Sequence, residues 1–211
     1  MIIAVDGPAA SGKGTIARAL ARHYQLPHLD TGMLYRAVGL SVARAGGDPD
    51  NEADALAACG FDDALLTDPE LRSEAIGALA SRVSIHAAVR NALVKRQRDF
   101  AGQTGGAVLD GRDIGTVIAP DADVKLFVTA SPEMRAQRRM RELQDHGLAA
   151  DLDALVADIR ARDARDTNRA VAPLKQAQGA VLLDTSDLSI EAAVRQAILL
   201  VDAQVEGQRT N

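Results

Sequence analysis

One stretch, Val5-Asp6-Gly7-Pro8-Ala9-Ala10-Ser11-Gly12-Lys13-Gly14-Thr15, limits the possible folds of this chain more than any other. The residues before it, Ile2 to Val5, are a short apolar run with β-branched side chains, which reads as a buried parallel strand. The residues after it, 13–24, carry Ile16, Ala19, Leu20 and His23 at helical spacing. A strand that turns into a helix through Gly7 and Gly12 aims successive backbone N–H groups inward, and the helix adds the positive end of its dipole. That is a cradle for phosphate, and Lys13 adds a full positive charge to it. Loops of this kind usually place Ser or Thr directly after the lysine, where the hydroxyl binds Mg²⁺. Here Gly14 holds that place, and the hydroxyl comes one residue later at Thr15. Mg²⁺ is then expected mainly on phosphates and water, with Thr15 touching phosphate or water, and no residue is assigned as its direct ligand.

The rest of the chain repeats the alternation of strand and helix. Further strands are expected ending near Leu29, at 107–110, at 124–128 and at 181–183, each short and apolar. Helices are expected from about Met33 to Arg44, over 86–101 with Ala88, Ala92, Leu93 and Arg96 along one side, and from Pro132, with Ser131 as N-cap. Others are expected over 151–165 and at the C-terminal end, where Ile190, Ala193, Val194, Ala197 and Val201 share a face. Residues 50–58 fit a short helix, and the signal is otherwise weak from Gly46 to about Ala80. The expectation is an α/β fold with a central, parallel, five-stranded sheet and helices on both faces. Ligands bind such sheets beyond the carboxyl ends of the strands, where Asp6, Asp30, Asp110 and Asp184 fall.

Composition sharpens the chemistry. The chain of 211 residues has a net charge of -5, so its bulk electrostatics do not suit nucleic acid, and phosphate binding must come from local arginine clusters. Its single cysteine, Cys59, excludes an intrachain disulfide and a thiolate zinc cluster, and fits a cytoplasmic setting. The N-terminus lacks the pattern of a signal peptide, and no apolar run approaches a membrane span.

The arginines are clustered. Residues 109–116, Leu-Asp-Gly-Arg-Asp-Ile-Gly-Thr, follow a strand, so Gly111 would turn Arg112 and Asp113 over the sheet edge. Arg162, Arg165 and Arg169 lie at i, i+3 and i+7, interleaved with Asp163 and Asp166, and an i,i+4 pair such as Arg162–Asp166 is the plain alternative. Arg135, Arg138 and Arg139 share another helical face, with Arg141 nearby. Two arginine-rich helices joined at Gly147 read as a hinged cover bringing planar, permanently charged forks onto phosphates. His23, His28, His86 and His146 lack catalytic spacing with a carboxylate or hydroxyl and read as structural or surface residues. Phosphoryl transfer to an acceptor that is itself a phosphate needs no general base, so this set suffices.

With these motifs the chain resembles the bacterial cytidylate kinases within the nucleoside monophosphate kinases. The resemblance rests on DGPAASGKGT at 6–15, LDTGMLYR at 29–36, VRNALVKRQR at 89–98, DGRDIGTV at 110–117, RRMRELQ at 138–144 and RDARDTNRAVAPL at 162–174. It implies transfer of the γ-phosphoryl of ATP to CMP or dCMP with Mg²⁺. Gly7, Pro8, Ala9, Ala10, Ser11, Gly12, Lys13, Gly14 and Thr15 would hold the ATP phosphates. Thr31, Arg36, Ser81, Arg90, Arg112, Asp113, Arg162, Asp166 and Arg169 would form the CMP side. Within that set Arg36 and Arg112 would grip the phosphate, Ser81, Arg90 and Asp113 would read the base, and Arg162 and Asp166 would meet the sugar. Lys13, Arg112, Arg135, Arg139 and Arg169 would act in catalysis.

The resemblance also implies a single domain with a core of 1–36, 84–131 and 171–211, a nucleotide-binding insert of about 37–83 and a lid of about 132–170. The family's insert usually includes a small antiparallel sheet, and here the interval is shorter and hairpin signals are hard to find. A monomer is expected. Two readings stay open beside this one: a kinase of another small metabolite, such as a shikimate-type acceptor, and a non-catalytic nucleotide switch. The chain lacks the Asn-Lys-x-Asp motif of guanine binders.

Overall fold

The computed structural model describes residues 1–145 and 147–209, the last two without side chains; the reading of His146 lies outside the described residues. Five strands, β1 (Ile2–Asp6), β2 (His28–Asp30), β3 (Ala107–Gly111), β4 (Val124–Thr129) and β5 (Val181–Asp184), form one sheet in the order β2-β3-β1-β4-β5. Every pairing is parallel. The α/β fold class with a central parallel sheet is therefore as the sequence predicts. β1 is central, and Ile3, Ala4 and Val5 are fully buried because both sheet faces are covered.

Among the described residues eight α-helices flank the sheet or lie between β2 and β3: α1 (Lys13–Tyr24), α2 (Thr31–Arg44), α3 (Glu52–Ala57), α4 (Glu74–Val83), α5 (Ala87–Ala101), α6 (Pro132–Asp145), α7 (Leu152–Asn168) and α8 (Ile190–Arg209). One face of the sheet packs Ile16, Ala17 and Leu20 of α1 and Ala193, Ala197 and Val201 of α8 against Val5, Val108 and Leu126. The other face packs Ala101 of α5 and Ile114 and Ile118 against Ala4 and Leu109.

Three expectations are corrected. α2 begins at Thr31 rather than Met33, because the Asp30 side chain accepts from the Gly32 N–H at 3.0 Å and caps it. The buried side of α5 is Val89, Arg90, Leu93, Gln97 and Ala101, not the stripe through Ala92 and Arg96; two of its five members are polar, which hid it from a hydrophobicity pattern. Ile190 is 66% exposed, because it opens α8 before the helix settles on the sheet. α4 lies in the stretch of weak signal. Ser73 caps it, and it rests on α2 through small residues, with Gly39 against Leu79 and Gly77 against the Arg36 guanidinium. A Cβ at Gly77 would lie 2.8 Å from Arg36 Nη2, so the glycine gives that arginine its seat. Among the described residues no strand lies between Asp30 and Ala107, and every regular element in that stretch is helical.

Candidate active site

The phosphate loop runs from the carboxyl end of β1 to α1. Ala10 and Gly12 have φ of 57° and 87°, in the left-handed region, which turns the backbone sharply at two points. For Ala10 that costs on the order of 1 kcal/mol, the kind of local strain that functional loops store. A Cβ at Gly7 would sit 2.0 Å from the Val128 carbonyl oxygen, so only glycine lets the loop leave the sheet here. Gly12 caps α1 without a side-chain hydrogen bond, which leaves the helix N-terminal donors for a ligand. Lys13 Nζ rests 3.3 Å from the Pro8 carbonyl. Burial first, and then the neighbouring Arg112, push its ammonium down to about 8. Thr15 Oγ1 accepts a long bond from Arg18 at 3.4 Å, and Ser11 lies beneath the loop, fully buried.

Beyond the loop opens a cavity of about 440 Å³, lined by Ala9, Ala10, Lys13 and Gly14 on one side and by α2, α4, α7 and the end of β3 on the other. The sequence motifs for the acceptor side meet here. Thr31, Arg36, Ser81, Arg90, Arg112, Asp113, Arg162, Asp166 and Arg169 all line it, although they come from segments more than 130 residues apart. The positive charge of the site is thus local, on a chain that is acidic overall.

Each of these side chains is held in place. Arg36 Nη1 donates to the Leu71 and Ser73 carbonyls at 2.6 and 2.8 Å, leaving its other edge for the cavity. Arg90 Nη2 meets Asp113 Oδ2 at 2.6 Å, its Nη1 meets the Ser84 carbonyl at 3.3 Å, and its guanidinium lies 5.4 Å from the Tyr35 ring centre. The other Asp113 oxygen is 3.7 Å from Arg169 Nη2, beyond hydrogen-bond reach, so it keeps acceptor capacity. Arg169 Nε donates to the Ala172 carbonyl at 2.6 Å. Thr31 Oγ1 donates to the Asp110 carbonyl at 2.9 Å. Ser81 Oγ accepts from Arg165 Nε at 3.3 Å, which brings α7 onto α4.

The Arg162–Asp166 pair of the plain alternative is not made. Asp166 instead takes Arg112 Nε at 2.8 Å, from a loop 54 residues away. Burial works against the Asp166 carboxylate, but Arg112 overcomes it and holds it below the ordinary range. Arg162 Nε is buried without a partner among the described residues, and burial followed by Arg112 pushes its guanidinium down to about 10. An unpaired cation facing a cavity is poised for an anion.

The arginines of α6 diverge instead of acting together. Arg135, 3% exposed, clamps Asp163 of α7 through two nitrogens and also donates to the Ala9 carbonyl at 3.2 Å, joining the cover to the phosphate loop. It is not among the residues lining the cavity. Arg138 turns to Thr185 at the end of β5. Arg139 faces the cavity and meets Glu74 of α4 at 2.9 Å. Gly147, with φ of 73°, makes the turn between α6 and α7. The three described histidines are structural: His28 bonds Asp110 at 2.7 Å, His86 bonds the Pro49 carbonyl at 2.9 Å, and His23 packs edge-on against Tyr24.

The sequence reading missed several contributors. Tyr35, inside the motif at 29–36, and Arg165, in the arginine cluster of α7, receive no role from the sequence; they act through Arg90 and Ser81. Arg18 was findable, being one helical turn after Thr15 on the exposed side of α1. Asp30 and Asp110 were noted only as strand ends. Their carboxylates stand beside Lys13, and burial and then Asp110 push Asp30 up.

The comparisons agree with this geometry. The cytidylate kinase family model matches residues 3–203. A cytidylate kinase of Rhodopseudomonas palustris strain TIE-1 is 57% identical over 210 residues, and one of Bradyrhizobium sp. strain ORS 278 is 56% identical, each match covering 99% of both chains. A solved structure of an uncharacterized protein from Eubacterium ventriosum ATCC 27560 aligns with a TM-score of 0.56 over 96% of this chain and 98% of that one, at 15% identity, and speaks to the fold alone. With its motifs converging on one cavity and more than half its residues shared with such relatives, the chain belongs to the cytidylate kinase family.

Proposed function

We propose that the chain transfers the γ-phosphoryl group of ATP to CMP or dCMP, giving ADP and CDP or dCDP. The observation that carries this is the cavity in which the phosphate loop faces a set of arginines and the buried carboxylate of Asp113, which has an oxygen to spare. In the reaction the bond from the γ-phosphorus to the β–γ bridging oxygen breaks, and a bond to an oxygen of the CMP phosphate forms. That oxygen is already anionic, so the residues supply alignment and positive charge and no base. Lys13 and the α1 N-terminus hold the donor phosphates, Arg36 and Arg112 grip the acceptor phosphate, and Arg139 and Arg169 add charge around the transferred group. Arg135 keeps the cover seated on the loop. Asp113, Arg90 and Ser81 read the base, and Arg162 and Asp166 meet the sugar. Residues about 37–83 act as the acceptor lobe and about 132–170 as the lid, whose closure excludes water.

Mg²⁺ fits this site as a companion of the phosphates. Among the described residues no three His, Cys, Asp or Glu side chains converge on a metal position. The crowded carboxylates of Asp30 and Asp110 beside the loop would welcome a cation met through water, and Thr15 offers a hydroxyl nearby. The ion would neutralise charge on the phosphoryl oxygens.

An ADP-release assay across CMP, dCMP, UMP, AMP and shikimate tests the reading. Turnover with CMP and dCMP well above the rest is expected, and turnover led by another acceptor replaces it. Among the described residues no helix is long and apolar enough to cross a membrane. We further infer a monomeric, cytoplasmic enzyme.

Lys13 gives a pH signature. Its ammonium sits at about 8 in the free protein, and bound phosphates restore it toward the ordinary lysine value. Between those values the free lysine is partly neutral, so ATP binding takes up a proton and weakens as pH rises through about 8. Calorimetry at that pH in buffers of different ionisation enthalpy should show uptake of about half a proton, growing toward one as the pH is raised between the free and bound values. Equal heats in all buffers rule this out.

A further inference from the structure

Asp6 is 2% exposed and ends β1, one residue before the phosphate loop begins. Its two oxygens are engaged separately: Oδ1 accepts from the Ile114 N–H and Oδ2 from the Gly115 N–H, both at 2.8 Å. Those amides open a single π-type turn, Ile114–Ile118, that follows Arg112 and Asp113 directly. The first N–H groups of a helical turn have no partner inside it. Here they are buried, so without Asp6 two donors would be left unpaired, and the turn would shift to reach others. Turns of this kind are favoured at functional sites because they re-aim the residues beside them.

The aim matters here. Arg112 points to Asp166 and Asp113 points to Arg90, contacts that set the phosphate grip and the base-reading oxygen. With each oxygen holding a buried backbone amide, Asp6 is engaged within the fold and does not line the cavity where a nucleotide would lie. We propose that Asp6 is a positioning residue: from the root of the phosphate loop it fixes the turn that orients Arg112 and Asp113, tying the geometry of the acceptor site to the loop that holds the donor. The kinetic part of the test rests on the kinase reading above.

Asp6→Asn keeps the shape but turns an N–H₂ toward one of the two amides. Its KM for CMP is expected to rise about tenfold, the loss of one buried hydrogen bond, while KM for ATP stays within about twofold. Hydrogen exchange at the Ile114 and Gly115 amides should quicken, with the amides of β1 unchanged. Gly115→Ala approaches the same contact from the other side, since its Cβ would lie 3.4 Å from Asp6 Oδ2 and 3.2 Å from Ala177 Cβ. It should give the same selective loss for CMP, and it serves if Asp6→Asn does not fold. A merely structural Asp6 would lower Tm without separating the two KM values. If KM for ATP rises with that for CMP, or neither moves and the two amides stay protected, the proposal is overturned. If the wild-type chain phosphorylates no cytidine nucleotide, the kinase reading falls and the exchange rates alone decide the role of Asp6.

Discussion

Replacing Arg112 with alanine is expected to lower CMP turnover on the order of a thousandfold while the protein stays folded. The size follows from where Arg112 sits. It lines the cavity with Lys13 and Arg36, its Nε is fixed by Asp166 at 2.8 Å, and its remaining N–H groups face the space where the acceptor phosphate would lie. A fork held in advance costs no reorganisation when charge shifts during transfer, and removing such a donor is felt mainly in kcat. The fold should tolerate the change because Asp166 does not become an isolated buried charge. Arg162 stands beside it without a partner and can take up the pairing. The expected loss is about 1–2 kcal/mol, a fall in Tm of a few degrees. Arg112→Lys keeps the charge but not the fork and should recover only part of the rate. The measurement is kcat by ADP release, beside a thermal melt. Near-normal CMP phosphorylation by the alanine variant would remove Arg112 from its assigned role.

The parts of this site that were legible in the sequence were those whose chemistry is local. The strand, glycines and lysine of residues 2–15 lie within one turn of chain, so their spacing alone predicts the cradle. An Arg–Asp pair in a loop is common, but Arg112 and Asp113 stand out by their place at a strand's carboxyl end between Gly111 and Gly115. What the sequence hid depends on distance along the chain. α4 is short: Ile76, Ala80 and Val83 do recur on one face, but over ten residues in a stretch rich in turn signals, and Gly77 takes its meaning only from Arg36 on the facing helix. The same holds for Asp166. Spacing offered Arg162 as its partner, but the turn at 111–115 delivers Arg112 first, and Arg162 is left facing the cavity. The arginines of α6 share a helical face on paper. On the molecule their reach takes them to Asp163, Thr185 and Glu74, so a common stripe does not mean a common ligand.

Changing Asp113 to asparagine should collapse discrimination between CMP and UMP. The carboxylate is 5% exposed and gives one oxygen to Arg90 at 2.6 Å, while the other lies 3.7 Å from Arg169 and keeps its acceptor capacity. Cytosine offers an amino group that this oxygen can receive, whereas uracil places a carbonyl there and would leave both groups unpaired. Asparagine reverses the relation on one side: its N–H₂ faces the cytosine amino group badly and the uracil carbonyl well. A matched pair is worth about 1–3 kcal/mol, so kcat/KM for CMP should fall on the order of a hundredfold relative to UMP. The variant will also be less stable. Arg90 and Arg169, 3% and 9% exposed, lose the neutralising charge, and breaking such a pair costs about 3–5 kcal/mol. Specificity is therefore the decisive readout, because the ratio of kcat/KM values does not depend on the folded fraction. Arg36, Arg112 and Lys13 are untouched by the change, so turnover with UMP should persist. A variant that loses CMP and UMP turnover in equal proportion would show that Asp113 holds the arginines in place without reading the base.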